Sequence, residues 1–189
     1  PQQVKEYDTS SYCFRHSRRD WKVSAYDKDY GINYDGDSRK PEYLIDGKKK
    51  TNWSSGKIND KPLELPYYII FDLNKVSDID GIYLANGYSN QCLADVHVEY
   101  IGSEVADPYD INAPWETLLQ VTDPNVVKAN LKNERFFDCP RTQARYLRLK
   151  ISNPNTIVFK SDSDLTEEEK ANQKKYHSFA EFGTYYKKP

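Results

Sequence analysis

The run Tyr67-Tyr68-Ile69-Ile70-Phe71-Asp72-Leu73 constrains the fold of this chain more than any other segment. Aromatic and β-branched residues bounded by Pro66 and Asn74 are the signature of a strand. Comparable runs recur at residues 79–85, 115–121, 135–139 and 179–186. Residues 21–25 and 96–100 alternate apolar and polar, and residues 145–151 place Leu147, Leu149 and Ile151 on one side. Turn clusters such as Asn86-Gly87-Tyr88-Ser89-Asn90 separate them. The one helical stretch, residues 162–175, has Thr166 and Glu169 at capping-box spacing and is nearly all polar, so it is expected as a solvated excursion. Many short strands with almost no helix predict a sandwich or barrel, and strands distant in sequence must pair, which predicts a Greek-key jelly roll.

At 189 residues the chain is long enough for one domain with a real core. The expected division is a polar lead-in, residues 1–18, followed by a β-sandwich domain, residues 19–189. Arg15, His16, Arg18 and Arg19 in the lead-in read as a solvated basic face. With 27 basic and 29 acidic side chains the formal charge is −2, which provides no field to draw nucleic acid or an anionic membrane. Apolar runs such as Ile69-Ile70-Phe71 are far shorter than the ~20 residues that span a bilayer. No signal peptide or lipidation motif is seen, and a chain starting at Pro1 is expected to be a mature or trimmed form. Cys13, Cys92 and Cys139 lack metal-ligand spacing and are expected to be buried and reduced.

The segment Ile45-Asp46-Gly47-Lys48-Lys49-Lys50-Thr51-Asn52-Trp53 gathers a carboxylate, a turn glycine, a hydroxyl and an indole. With Phe179-Ala180-Glu181-Phe182 it suggests a loop closed around a hard cation, since Ca²⁺ takes carboxylate, hydroxyl and carbonyl oxygens. A metal-free loop held by an Asp46–Thr51 hydrogen bond is the other reading. Catalysis finds little footing: there is no nucleophile elbow, phosphate-cradling glycine loop or His-Glu-x-x-His helix. His16, His97 and His177 are far apart, and His97, between Val96 and Val98, is expected to point outward. The chain is therefore expected not to be an enzyme.

In their order along the chain these segments resemble the coagulation-factor type C, or discoidin-like, domain, and most closely its family 32 carbohydrate-binding modules. Trp21-Lys22-Val23-Ser24-Ala25 resembles the opening strand, and Ile45-Asp46-Gly47 with Thr51 and Trp53 resembles the "DG…TxW" signature. Leu65-Pro66-Tyr67-Tyr68-Ile69-Ile70-Phe71-Asp72-Leu73 is similar to the "P-x-x-I-x-x-D-L" strand, and Ile79-Asp80-Gly81-Ile82-Tyr83-Leu84 to the one after it. Ala144-Arg145-Tyr146-Leu147-Arg148-Leu149 is similar to "ARYLRL", and Ser178-Phe179-Ala180-Glu181-Phe182 to the closing strand. The match spans roughly residues 19–186.

The resemblance implies an eight-stranded antiparallel jelly-roll β-sandwich, galactose-binding-domain-like, with a structural Ca²⁺. Its ligands would be Asp46 and Glu181 through carboxylates, Thr51 through hydroxyl and carbonyl, and Tyr43, Lys48 and Ala180 through carbonyls. The family often has Asp or Asn where this chain has Lys48, and three adjacent lysines weaken a cation site unless they point outward. Trp53, Trp21 and Trp115 are expected in the core.

The family also implies a glycan partner, bound by loops at one end of the sandwich. Here those loops supply Tyr30, Tyr34, Asn86, Tyr88, Asn90, Asn155 and Phe159 as candidate ligand-binding residues. The arginine that galactose-binding members often carry after the Ile82–Leu84 strand is missing, because that loop reads Ala85-Asn86-Gly87-Tyr88, so the sugar is not transferable. The expected function is a non-catalytic, extracellular or cell-surface glycan-binding module, attached to a larger glycan-degrading or surface protein. The alternative is a discoidin-type protein-adhesion or assembly domain. Membrane insertion is disfavoured by Asp27, Asp29, Asp35 and Asp37 in the first loop. The sequon Asn52-Trp53-Ser54 is expected to be a chance match in a packed loop.

Overall fold

The computed structural model describes residues 13–27, 40–55, 57–58, 61–62, 64–86, 92–93, 95–122, 134–153, 156–157, 164, 166–168 and 177–188. Its strands are β1 (Cys13–Arg15), β2 (Lys22–Tyr26), β3 (Trp53–Ser54), β4 (Lys57–Ile58), β5 (Lys61–Pro62), β6 (Tyr67–Asn86), β7 (Cys92–Leu93), β8 (Val96–Ile101), β9 (Glu116–Val121), β10 (Glu134–Ile151), β11 (Thr156–Ile157) and β12 (Ser178–Lys187). A 3-10 helix, Pro41–Ile45, precedes β3. Eight strands form one antiparallel sheet in the order β1-β12-β6-β10-β8-β9, with β2 on β6 and β3 on β12. The all-β expectation holds. Of the expected helix, residue 164 is 3-10 helical and residues 167–168 are α-helical, and most of its span lies outside the described residues.

Four expected strands are really two. The expected strands 67–73 and 79–85 lie in one 20-residue strand, β6, and those at 135–139 and 145–151 in one 18-residue strand, β10. The polar stretch between the apolar halves reads as a connection, yet it stays paired: Ser77, Asp78 and Ile79 face Ala144, Gln143 and Thr142. Asn74, at φ 67°, and register shifts at residues 138–142 and 144–146 provide the bend. The first half of β6 pairs with β2 and the second half with β12, so one strand serves both layers.

The core lies between those layers. Ile69, Phe71 and Leu73 from the first half of β6 meet Ile82 and Leu84 from the second, with Leu147, Leu149, Phe179 and Phe182. Phe71 stacks on Phe182 across the sandwich at 4.2 Å between centroids. Trp21 packs edge-on against Phe71, and Trp53, fully buried, does the same against Phe179. Both were expected in the core.

Phe179 and Phe182 are three residues apart, so simple alternation would put them on opposite faces. A register shift between Phe179 and Glu181 resets the alternation and admits both to the core.

The opposite face of β6 and β12 carries a second cluster of Cys13, Tyr83 and Tyr185. Tyr83 pairs with Gly183 and Tyr185 with Gly81, and each ring fills the space that a Cβ on the facing glycine would need. Cys13 and Cys139 are buried free thiols, as expected, while the side chain of Cys92 lies outside the described residues.

Trp115 departs from its expected place in the core. It is half-buried, just before β9, and stacks on the Arg148 guanidinium at 4.6 Å, with the Tyr68 ring 4.7 Å from the same cation. Arg148 donates to Glu99 Oε1 at 3.0 and 2.9 Å, an ion pair sealed beneath the indole. Alternation in β10 puts Arg148 opposite in sense to Leu147 and Leu149, so Trp115 covers the outer face.

Gly183→Ala is expected to force the Tyr83 ring off β12 and cost about 1–3 kcal/mol, read as a lower urea midpoint. In a Tyr83→Ala background, where that ring is gone, Gly183→Ala should cost less than in the native chain.

Candidate functional site

The clasp suggested by the sequence forms around the 3-10 helix. Pro41 opens it at a position where no amide donor is needed, and Leu44 anchors it in the core. Asp46 caps its C-terminal end, and Gly47 follows at φ 75°, a left-handed value that favours glycine. Asp46 Oδ1 accepts from the Lys48 amide at 2.8 Å, and Oδ2 accepts from the Thr51 hydroxyl at 2.5 Å. The Lys48 carbonyl lies 3.1 Å from the same hydroxyl. Pairing of Trp53 and Ser54 with Phe179 and Ser178 then ties the loop to β12.

The β12 irregularity brings Glu181 to this loop. Its residue is 1% exposed, and Oε2 lies 2.5 Å from Arg18 Nη1. Burial, opposed by Arg18 and reinforced by the negative charge of Asp46, raises its pKa to about 7. Glu181 Oε1 is buried and has no hydrogen-bond partner among the described residues.

Of the six expected cation ligands, Asp46, Lys48 and Thr51 are joined by hydrogen bonds, and Glu181 lies close enough to Asp46 for that carboxylate to help raise its pKa. Tyr43 belongs to the helix leading into Asp46, and Ala180 sits in the irregular stretch before Glu181. Lys48, Lys49 and Lys50 are exposed, and Lys49 reaches toward Glu134 at 3.8 Å, so the ammonium groups face outward.

The donor chemistry suits a hard cation. An unsatisfied carboxylate oxygen lies beside a second carboxylate and a hydroxyl oxygen with free lone pairs. No group of three or more His, Cys, Asp or Glu side chains gathers among the described residues, so carbonyls must complete any such shell.

The sequence reading missed Arg18. It was expected to be solvated, but its side chain is 14% exposed and reaches Glu181, the Leu44 carbonyl at 3.0 Å and the Phe182 carbonyl at 2.8 Å. Its neighbours are also engaged. Arg15 stacks over Tyr83 at 4.4 Å and pairs with Glu134, and His16 Nδ1 lies 2.8 Å from the Thr184 hydroxyl. A basic run reads as surface because nothing in it shows the carboxylate 163 positions away that fills one pocket.

Tyr30, Tyr34, Tyr88, Asn90, Asn155 and Phe159 lie outside the described residues. Asn86 ends β6, where its backbone pairs with Phe179 of the closing strand. His97 is half-buried and lies 3.2 Å from Thr117 Oγ1 on β9, consistent with an outward-pointing strand residue. Asp80 forms a two-pronged ion pair with Arg141, at 3.0 and 2.7 Å, and accepts the Lys187 amide. Asn52 Nδ2 is buried, and Ser54 is 1% exposed, which leaves no room for a glycan.

The F5/8 type C domain model matches residues 22–161, most of the chain. The chain belongs to the F5/8 type C domain family. Among solved structures, CpGH89CBM32-5 from Clostridium perfringens, in complex with GalNAc-beta-1,3-galactose, superposes with a TM-score of 0.61 at 16% identity, covering 90% of this chain and 99% of that one. The family 32 module of NanJ from the same organism, in complex with galactose, gives 0.60 at 12% identity, covering 92% and 99%. A GH29 fucosidase from Ruminococcus gnavus, in complex with fucose, gives 0.57 at 16% identity, covering 93% of this chain but 27% of the enzyme. These likenesses confirm the jelly-roll sandwich. A search of curated proteins finds no significant match.

Thr51→Val is expected to leave Asp46 Oδ2 without its donor and lower stability by about 0.5–1.5 kcal/mol in urea unfolding. Burial, partly offset by the bond to Thr184, lowers the His16 pKa below its ordinary 6.5. Protonation therefore favours the unfolded chain, and the contribution of neutral His16 is full above pH 6.5 and lost as pH falls through its folded value. His16→Gln should flatten stability against pH just below 6.5, measured by urea midpoints.

Proposed function

We propose that this domain is a non-catalytic carbohydrate-binding module that recognises a glycan through the loops at one end of the sandwich. The observation that carries this reading is the span of the family match. Residues 22–161 include every candidate loop residue: Tyr30, Tyr34, Asn86, Tyr88, Asn90, Asn155 and Phe159. Those side chains combine aromatic faces for the C–H patch of a sugar ring with amides for its hydroxyls. Four acidic side chains of the strands are engaged in structural pairs: Asp80 with Arg141, Asp72 with Arg145, Glu99 with Arg148 and Glu134 with Arg15. Such pairing suits a scaffold better than acid–base chemistry.

Ca²⁺ is proposed as a structural ion of the clasp, held by Asp46, Thr51 and Glu181 with carbonyls of Tyr43, Lys48 and Ala180. Its effect would be to reinforce the tie between the loop before β3 and the closing strand.

The module is proposed to act outside the cell or on its surface, as part of a larger glycan-degrading or surface protein. Support comes from the solved neighbours: one is a fucosidase in which the matching region is about a quarter of the chain. No helix among the described residues is long and apolar enough to cross a membrane.

A calorimetric titration with galactose, N-acetylgalactosamine, mannose and glucose, followed by a glycan array, tests the function. The expected result is saturable binding of at least one glycan, weakened about tenfold or more by Tyr88→Ala, a loss of ~1.4 kcal/mol. Binding to no glycan, with affinity for a protein partner, would favour the adhesion reading instead.

A further inference from the structure

We infer that Arg18 is the resident cation of the clasp, so that the domain closes on Glu181 without a metal and Ca²⁺ is a supplement. This inference rests on the Ca²⁺ reading only for the supplement. The role of Arg18 stands on its own geometry.

Glu181 is buried and ionisable, and a carboxylate in that position needs a counter-charge or a proton. In most carboxylate-based cation sites the ion provides it. Here a guanidinium fixed by the chain is already in place, 2.5 Å from Oε2. The same Nη1 lies 3.0 Å from the Leu44 carbonyl and 2.8 Å from the Phe182 carbonyl. One donor therefore joins the 3-10 helix before the clasp loop to the strand that closes it, which is the mechanical task assigned to the ion.

Arg18 is held in position by its surroundings. The His16 amide donates to the Thr184 carbonyl at 3.0 Å, continuing the pairing of β1 along β12. The Trp21 amide donates to the Arg18 carbonyl at 3.1 Å, closing a turn whose far end is the core residue Trp21. The Tyr83 ring lies 5.6 Å from the Arg18 guanidinium. A preorganised guanidinium loses little freedom in making these contacts.

Arg18 also leaves a defined remainder. It occupies Oε2, while Oε1 is buried with no hydrogen-bond partner among the described residues, and the nearby Asp46 carboxylate is already bonded to Thr51. A divalent ion bound through Oε1 would add to a clasp already shut, against the repulsion of a nearby positive charge. Ca²⁺ should therefore bind weakly to the native chain and more tightly once Arg18 is gone.

Thermal unfolding of the full chain, in excess EDTA and in millimolar CaCl₂, tests this with Arg18→Met and the double variant Arg18→Met/Glu181→Gln. The native protein is expected to unfold within about 3 °C in the two buffers. Arg18→Met should lose more than about 8 °C in EDTA and regain at least half of it in CaCl₂. The double variant, with no stranded carboxylate, should fold and ignore CaCl₂, which keeps the test decisive if Arg18→Met does not fold. A native chain gaining more than about 5 °C from CaCl₂ would overturn the inference. So would Arg18→Met as stable in EDTA as the native chain, or a double variant no more stable than Arg18→Met. If Arg18→Met is destabilised but CaCl₂ restores nothing, Arg18 keeps its role and the Ca²⁺ reading fails.

Discussion

The pairing of two long bent strands, β6 with β10, is the constraint on which the rest of this structure depends. It runs from Ala85 opposite Glu134 to Tyr67 opposite Ile151, through the bend and into both layers. Because each strand contributes to both layers, the two inner faces are held in register by the chain itself. Phe71 and Phe182 can then stack across the core. Strands β2, β12 and β8 attach directly to this pair, with β1, β3 and β9 beyond them, while β4 with β5 and β7 with β11 form separate two-stranded sheets. The face of β6 turned away from the core uses the same register: Tyr83 and Tyr185 each need a glycine at their exact partner position.

The clasp solves a different problem, the attachment of segments far apart in sequence. The 3-10 helix and the closing strand share the core through Leu44, Phe179 and Phe182, but the buried Glu181 carboxylate beside them must be compensated. Arg18 provides that compensation from the segment ahead of β2 and binds both sides of the junction. Asn86, the last residue of β6, pairs with Phe179 of the same closing strand.

Legibility followed the range of the interaction. Strand positions were readable because alternation is local, and the core places of Trp21 and Trp53 followed from strand and motif. The Asp46–Thr51 contact was readable too, since five positions separate its partners. Three things were not. The joining of strands across residues 74–78 depends on pairing with residues 142–144, which a polar local sequence hides. Trp115 reads as core by hydrophobicity, yet its partner is an arginine whose outward side is set by β10. Arg18 reads as solvent-facing because its composition carries no trace of Glu181.

The sequence by itself determined the all-β class, the order of the strands, the family and the loop that the clasp would use. Those properties rest on side-chain period and on short motifs, and both act within a few residues. Only the tertiary structure decided which charge closes the clasp and which face each aromatic covers. A buried ion pair or a ring over a glycine exists only when distant strands meet in one register, and that register is a property of the whole sheet.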